Sequence, residues 1–130
     1  MYLRCISFFV AYIIKLNIAL EVAVVNKIEC HRKTKAGDRI YVKYTGSIDS
    51  SSTAGVHGKI FDTNVNKPDP LEFYLGKGTV IKGWDLGLLD MCVGEKRILI
   101  IPPDQAYGSR GFGKNIPRGL IFSVNSFFKI

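Results

Sequence analysis

From Arg39 to Gly46 the chain alternates, with Ile40, Val42 and Tyr44 on one side and Tyr41, Lys43 and Thr45 on the other. A period of two buries one face of an extended segment and wets the other, so this run makes the β-strand the dominant element. The alternation returns in Leu71, Phe73 and Leu75, separated by Glu72 and Tyr74 and delimited by Pro68, Pro70 and Gly76. Ile98 to Ile101 is an unbroken apolar run stopped by Pro102-Pro103, which suits a central strand either buried on both faces or wrapped over a helix. The last segment alternates through Leu120, Phe122 and Val124 before Phe128 and Ile130. One stretch departs from the period of two. Ile81, Trp84 and Leu88 fall at helical spacing, which predicts a short helix over Ile81 to Leu88 that must survive by packing, because Gly83 and Gly87 lower its propensity.

Leu20 to Ile28 is a loosely apolar lead-in, Asp49 to Gly58 has turn residues and no apolar period, and Gly108 to Gly113 is glycine-rich. The last two are read as loops. The resulting string of strand, loop, strand, short helix, strand, loop and strand is an α+β domain, an antiparallel sheet wrapped around one short helix. A chain of 130 residues has room for one such core. The layout buries Trp84 between helix and sheet, where its indole N–H needs a partner or an opening. A cavity floored by Trp84 supplies the opening.

The formal charge of +7 invites a nucleic-acid reading, but Lys and Arg are scattered over strands and turns with no basic stripe, so no nucleic-acid partner is expected. Residues 1–19 read as a signal peptide, with Arg4 ahead of the apolar run Cys5 to Ile14, and residues 20–130 as the mature domain. The run is too short to span a bilayer, so no stable membrane insertion is expected after processing. Lys15 interrupts the stretch and the site after Ala19 matches small-x-small poorly, which leaves an uncleaved anchor as the alternative. With Cys5 removed, Cys30 and Cys92 remain, either as a disulfide in an oxidising compartment or as two buried thiols.

Familiar catalytic constellations are missing from the sequence. Neither of the two histidines, His31 and His57, lies in a nucleophile motif, and there is no CxxC or HxxxH spacing for a metal. Gly76-Lys77-Gly78 lacks the GxxxxGK[ST] pattern of a phosphate loop. Asp85 and Asp90 read as solvated surface acids, and Asp62, beside Phe61, is the remaining carboxylate of interest. What stands out is an aromatic and aliphatic set, Tyr44, Phe61, Phe73, Ile81, Trp84, Tyr107 and Phe122, able to converge into an apolar cup rimmed by polar handles.

The motifs Tyr44-Thr45-Gly46, Gly58-Lys59-Ile60-Phe61-Asp62-Thr63, Val80-Ile81-Lys82-Gly83-Trp84-Asp85, Gly94-Glu95-Lys96-Arg97 and Pro102-Pro103 with Ala106-Tyr107-Gly108 resemble, in order and spacing, the FKBP-type peptidyl-prolyl isomerases. The resemblance covers about residues 30 to 125. It is similar in particular to endoplasmic-reticulum members, which pair two cysteines placed like Cys30 and Cys92, and so implies residence in that lumen or secretion. It implies a prolyl ring seated on Trp84, with Tyr44, Phe61, Asp62, Tyr107 and Phe122 as the other catalytic positions. Leu71, Phe73, Val80, Ile81, Phe112 and Ile116 would contact substrate. The implied partners are X-Pro segments of client chains and macrolides of the FK506 and rapamycin class, bound by a monomer that needs no cofactor.

Leu71 stands where a Phe is usual in the family, Thr79 where a longer polar residue is common, and Lys67 near an Arg that often pairs with the rim Asp. Ser126 falls on the face of Leu120, Phe122 and Val124, and a β-bulge near Asn125-Ser126 is expected to restore the phase of the following aromatics. Three functions follow: an isomerase that helps secretory proteins fold, a prolyl-binding module or chaperone that keeps the cup without turnover, and an exported interaction protein using its basic surface.

Overall fold

The computed structural model describes residues 20–53 and 55–107 in full and the backbone of residues 122–129. Among the described residues, six strands and one α-helix run in the order β1 (Glu21–Asn26), β2 (Arg39–Ile48), β3 (Ile60–Thr63), β4 (Leu71–Tyr74), α1 (Lys82–Gly87), β5 (Lys96–Ile101) and β6 (Phe122–Lys129), with a 3-10 turn at Pro103–Gln105. They form one sheet in the order β1-β5-β6-β2-β3, with β4 also paired to β2. Every pairing is antiparallel. This is the expected sheet around a short helix.

Two strands escape the periodicity. β1 is an edge strand whose residues are exposed except for a half-buried Glu21, so backbone pairing to β5 holds it and no buried face writes a pattern into it. β3 is four residues long, too short for a period to register. β5 lies between β1 and β6, with Arg97, Leu99 and Ile101 buried and Lys96, Ile98 and Ile100 half-buried. Of the two readings of its apolar run, the strand wrapped over a helix is therefore correct.

The helix meets β5 through its glycines. A Cβ on Gly83 would lie 2.5 Å from Ile101 Cγ2, and one on Gly87 would lie 2.8 Å from Leu99 Cδ2. Each glycine costs about 1 kcal/mol of helix propensity, and in return the helix backbone comes close enough to β5 to seal the core. That core contains Ile40, Val42, Ile48, Phe73, Leu75, Trp84, Leu88, Met91, Leu99 and Ile101.

The end of the helix is capped from β5. Arg97 donates to the carbonyls of Gly87, Leu89 and Asp90 at 2.9, 2.7 and 2.9 Å, and its Nε donates to Glu95 Oε2 at 2.6 Å. Both side chains are buried, so each supplies the charge and hydrogen bonds that the other needs away from water. The same turn is tied to the start of the domain: Thr34 Oγ1 donates to the Leu88 carbonyl at 2.6 Å, and Cys30 is disulfide-bonded to Cys92.

The bulge expected near Asn125-Ser126 does not form. β6 pairs without a register shift to β2 from Tyr41↔Lys129 to Ile48↔Phe122, and to β5 from Lys96↔Phe127 to Ile101↔Phe122. A strand with a partner on each side would have to break both ladders at once to insert a residue, whereas bulges favour edges.

Candidate functional site

An open cavity of about 470 Å³ lies over the helix, lined by Tyr44, Gly46, Phe61, Asp62, Leu71, Thr79, Val80, Ile81, Trp84 and Tyr107. These come from β2, β3, β4, α1 and the segments that precede α1 and follow β5. The period of β2 turns Ile40 and Val42 into the core and leaves Tyr44, further along the same face, half-buried at its edge. Gly46 is next on that face, and a Cβ there would come within 2.8 Å of Phe61 Cζ, so the bare backbone is what lets the Phe61 ring lie against β2. The segment between β4 and α1 contributes Thr79, Val80 and Ile81, and the turn after β5 contributes Tyr107.

Trp84 is 6% exposed and belongs to both core and cavity. The Tyr44 ring meets it edge-on, with centroids 4.9 Å apart and planes at 74°. Phe73 packs on it from the core, at 5.9 Å. Its indole N–H is buried and has no partner among the described residues. A buried donor left unmatched costs about 1–3 kcal/mol, and here it belongs to a residue that also lines the cavity.

The polar rim is built from Tyr44, Asp62 and Tyr107. The Tyr44 hydroxyl donates to Asp62 Oδ2 at 2.5 Å. Burial, then the hydrogen bond to Asp62, raise the Tyr44 hydroxyl above its ordinary pKa. Burial, then the charge of Asp62, do the same to Tyr107. Both phenols are therefore protonated donors across the physiological range.

Of the residues singled out in the sequence, Tyr44, Phe61, Asp62, Leu71, Val80, Ile81, Trp84 and Tyr107 line one cavity. Phe73 does not: it shares a face of β4 with Leu71, but it is 6% exposed and sits behind Trp84 while Leu71 stands at the mouth. Phe112 and Ile116 lie outside the described residues. Phe122 is described as backbone, opposite Ile48 and Ile101. Asp62 takes its bond from Tyr44, and no ion pair joins it to Lys67 among the described residues.

The sequence did not mark Asn64, which is 6% exposed. Both β3 and β4 pair with the same edge of β2, at Thr45–Ser47 and at Arg39–Val42. Asn64 bridges the interval between them. Its Oδ1 accepts from the Tyr44 amide at 2.7 Å and its Nδ2 donates to the Val42 carbonyl at 2.9 Å, so a side-chain amide replaces a missing strand partner and fixes Tyr44 beside the cavity. Asp85 is a correction. It is half-buried and not a solvated acid, because its carboxylate accepts from the amides of Gly76 and Gly78 at 2.8 and 2.9 Å. No group of three or more His, Cys, Asp or Glu side chains is placed to hold a metal ion among the described residues.

A short helix inside an antiparallel sheet, with an aromatic cup opening above its tryptophan, has close counterparts. The family model described as FKBP-type peptidyl-prolyl cis-trans isomerase matches residues 30–125. The chain is 52% identical over 99 residues to FK506-binding protein 2 of Aspergillus fumigatus, a match covering 75% of this chain and 69% of that protein. It is 50% identical over 98 residues to FK506-binding protein 2 of Dictyostelium discoideum, covering 74% and 68%. Among solved structures it is similar to the crystal structure of AtFKBP13, with a TM-score of 0.71 and 31% identity over 84% of this chain and 90% of that one. The chain belongs to the FKBP-type peptidyl-prolyl cis-trans isomerases. Its activity is the cis-trans isomerisation of X-Pro peptide bonds.

Proposed function

We propose that the cup over Trp84 is the isomerase site and that it works by binding a twisted X-Pro amide better than a planar one. The observation that carries this is the convergence of Tyr44, Phe61, Trp84 and Tyr107 with Val80 and Ile81 on one cavity, an aromatic and aliphatic cup that suits a prolyl ring. Rotating the amide removes its resonance at a barrier of about 18–20 kcal/mol. An apolar cup favours the state that has lost part of its dipole, and the protonated hydroxyl of Tyr107 offers a donor near the turning carbonyl, while the Tyr44 hydroxyl is engaged by Asp62. No covalent step is needed.

On this reading Tyr44, Phe61, Asp62, Trp84, Tyr107 and Phe122 form the catalytic set, while Leu71, Val80 and Ile81, with Phe112 and Ile116, contact the flanking substrate. The same cup would take a macrolide of the FK506 and rapamycin class, in keeping with the relatives being FK506-binding proteins. The clients are proline-containing chains of the secretory pathway, met in the endoplasmic-reticulum lumen or after secretion by a monomeric enzyme. Support for the compartment is the Cys30–Cys92 disulfide, a bond that persists where thiols are oxidised, together with residues 1–19 read as a signal peptide.

The test is turnover of an X-Pro peptide by the full chain with and without rapamycin. Turnover that the macrolide suppresses with one-to-one stoichiometry is the expected result. Turnover that is indifferent to saturating macrolide counts against the cup as the site.

A further inference from the structure

The turn between β4 and α1 is held by a carboxylate that the proposed mechanism does not use. Gly76 and Gly78 both have positive φ, at 76° and 72°, a region open to glycine and strained for other residues. The two amides turn toward the same side chain: Asp85 Oδ1 accepts from Gly76 at 2.8 Å and Oδ2 from Gly78 at 2.9 Å. One oxygen serves each amide.

The two glycines are not fixed equally. Gly76 is also pinned from behind, where a Cβ would meet Ala36 Cβ at 2.9 Å, and its neighbour Leu75 exchanges backbone bonds with Gly37 and Asp38. Gly78 faces open space where a Cβ would stand. The carboxylate is thus the contact that fixes Gly78, and the next three residues along the chain are Thr79, Val80 and Ile81 of the cavity wall. Asp85 follows Trp84 in the first turn of α1, so one rigid helical turn holds the floor of the cup and, through two charge-assisted bonds, its wall.

We propose that Asp85 is a positioning residue of the isomerase site, which sets the distance between the Val80-Ile81 wall and the Trp84 floor by anchoring the amides of Gly76 and Gly78. This rests on the cup being the isomerase site. Asp85 touches no substrate, and its effect reaches the reaction through the wall.

The experiment compares the full-length wild type with Asp85→Asn and Asp85→Glu, each assayed on an X-Pro tetrapeptide well below its Tm, with amide shifts followed by NMR. Asn keeps the shape but turns an NH₂ toward one glycine amide, whereas Glu keeps both acceptor oxygens. The expected result is a fall in kcat/KM of about tenfold in Asp85→Asn, comparable with losing one charge-assisted hydrogen bond. Asp85→Glu should recover most of it, and the Gly78 and Val80 amide shifts should move with activity. A lower Tm with kcat/KM within twofold of wild type would show a purely structural role and overturn the proposal. So would Gly76 and Gly78 amides that exchange in the wild type as fast as in an unfolded peptide, a measurement that decides the matter even if Asp85→Asn does not fold. Phe61→Ala, run alongside, separates the two readings: loss of turnover there with none in Asp85→Asn sinks the anchor and spares the cup.

Discussion

At the scale of single residues the cup divides into side chains that face the cavity and side chains that also hold the core. Phe61 is half-buried and packs over Gly46, so Phe61→Ala is expected to lower kcat/KM by about tenfold or more, the equivalent of ~1.4 kcal/mol of transition-state contact, with a smaller effect on unfolding. Tyr107→Phe removes one hydroxyl, and a loss of roughly threefold to tenfold corresponds to one hydrogen bond. Trp84→Ala is a poor probe, since truncating a core aromatic costs about 3–5 kcal/mol. Turnover of a tetrapeptide by wild type and both variants, read beside urea unfolding, separates the roles. Full activity in a folded Phe61→Ala would remove the cup from the mechanism. Because both rim phenols are held protonated above their ordinary range, turnover should stay nearly flat from about pH 6 to 9; a bell-shaped profile near neutrality would point to proton transfer instead.

A carboxylate away from the cup is expected to shape stability at low pH. Asp38 is gripped by Arg32 through two bonds of 2.8 and 2.9 Å and accepts from the Lys35 amide. The hydrogen bond from Arg32, then that from Lys35, lower its pKa from 3.8 to about 2. A folded-state value below the unfolded one means that its contribution is complete above about pH 4 and is lost as pH falls through 2. The Tm of the wild type should therefore decline over that interval, and Asp38→Asn should be less stable at neutral pH with a shallower decline. Parallel Tm curves for the two proteins would show that Asp38 is not responsible.

Among the elements, the helix is the one whose sequence looked wrong and whose packing explains it. Propensity alone says that Gly83→Ala and Gly87→Ala should stabilise α1 by about 1 kcal/mol each. The close approach of Ile101 and Leu99 reverses the sign, because overpacking a filled interface costs about 1–3 kcal/mol. Chemical denaturation should find both variants less stable than wild type, and Gly83→Ala, with the shorter contact, the worse of the two. A stabilised Gly83→Ala would mean that the helix can lift off β5.

For the whole molecule, the Cys30–Cys92 disulfide joins residues 62 apart in sequence and so closes more than half of the domain into a loop. The chain-entropy relation gives about 4 kcal/mol for a loop of that length, a large share of the ~5–15 kcal/mol that holds a small domain together. Reduction should lower the denaturant midpoint by a corresponding amount while native turnover persists, since neither sulfur lines the cavity. An unchanged midpoint under reducing conditions would show that the Thr34 and Arg97 contacts suffice to close the domain.

The sequence by itself determined the strands with a buried face, the position of the helix, and the residue types available to a cup. Those signals are local: a period of two or of 3.6 is written wherever neighbours share one environment. It left β1 unread because an exposed edge strand has no buried face to encode, and it grouped Phe73 with Leu71 because alternation identifies a face but not depth along it. The exchange of bonds around Asn64 and the grip of Asp85 on two glycines had no sequence signal. Each exists because segments brought together by the fold leave amides facing inward, and a side chain from another element answers them. Which aromatics meet over Trp84, which acid is a tether and which glycine is a contact were decided by the tertiary structure, since convergence depends on the packing of β2, β3, β4 and α1 together and no single segment carries it.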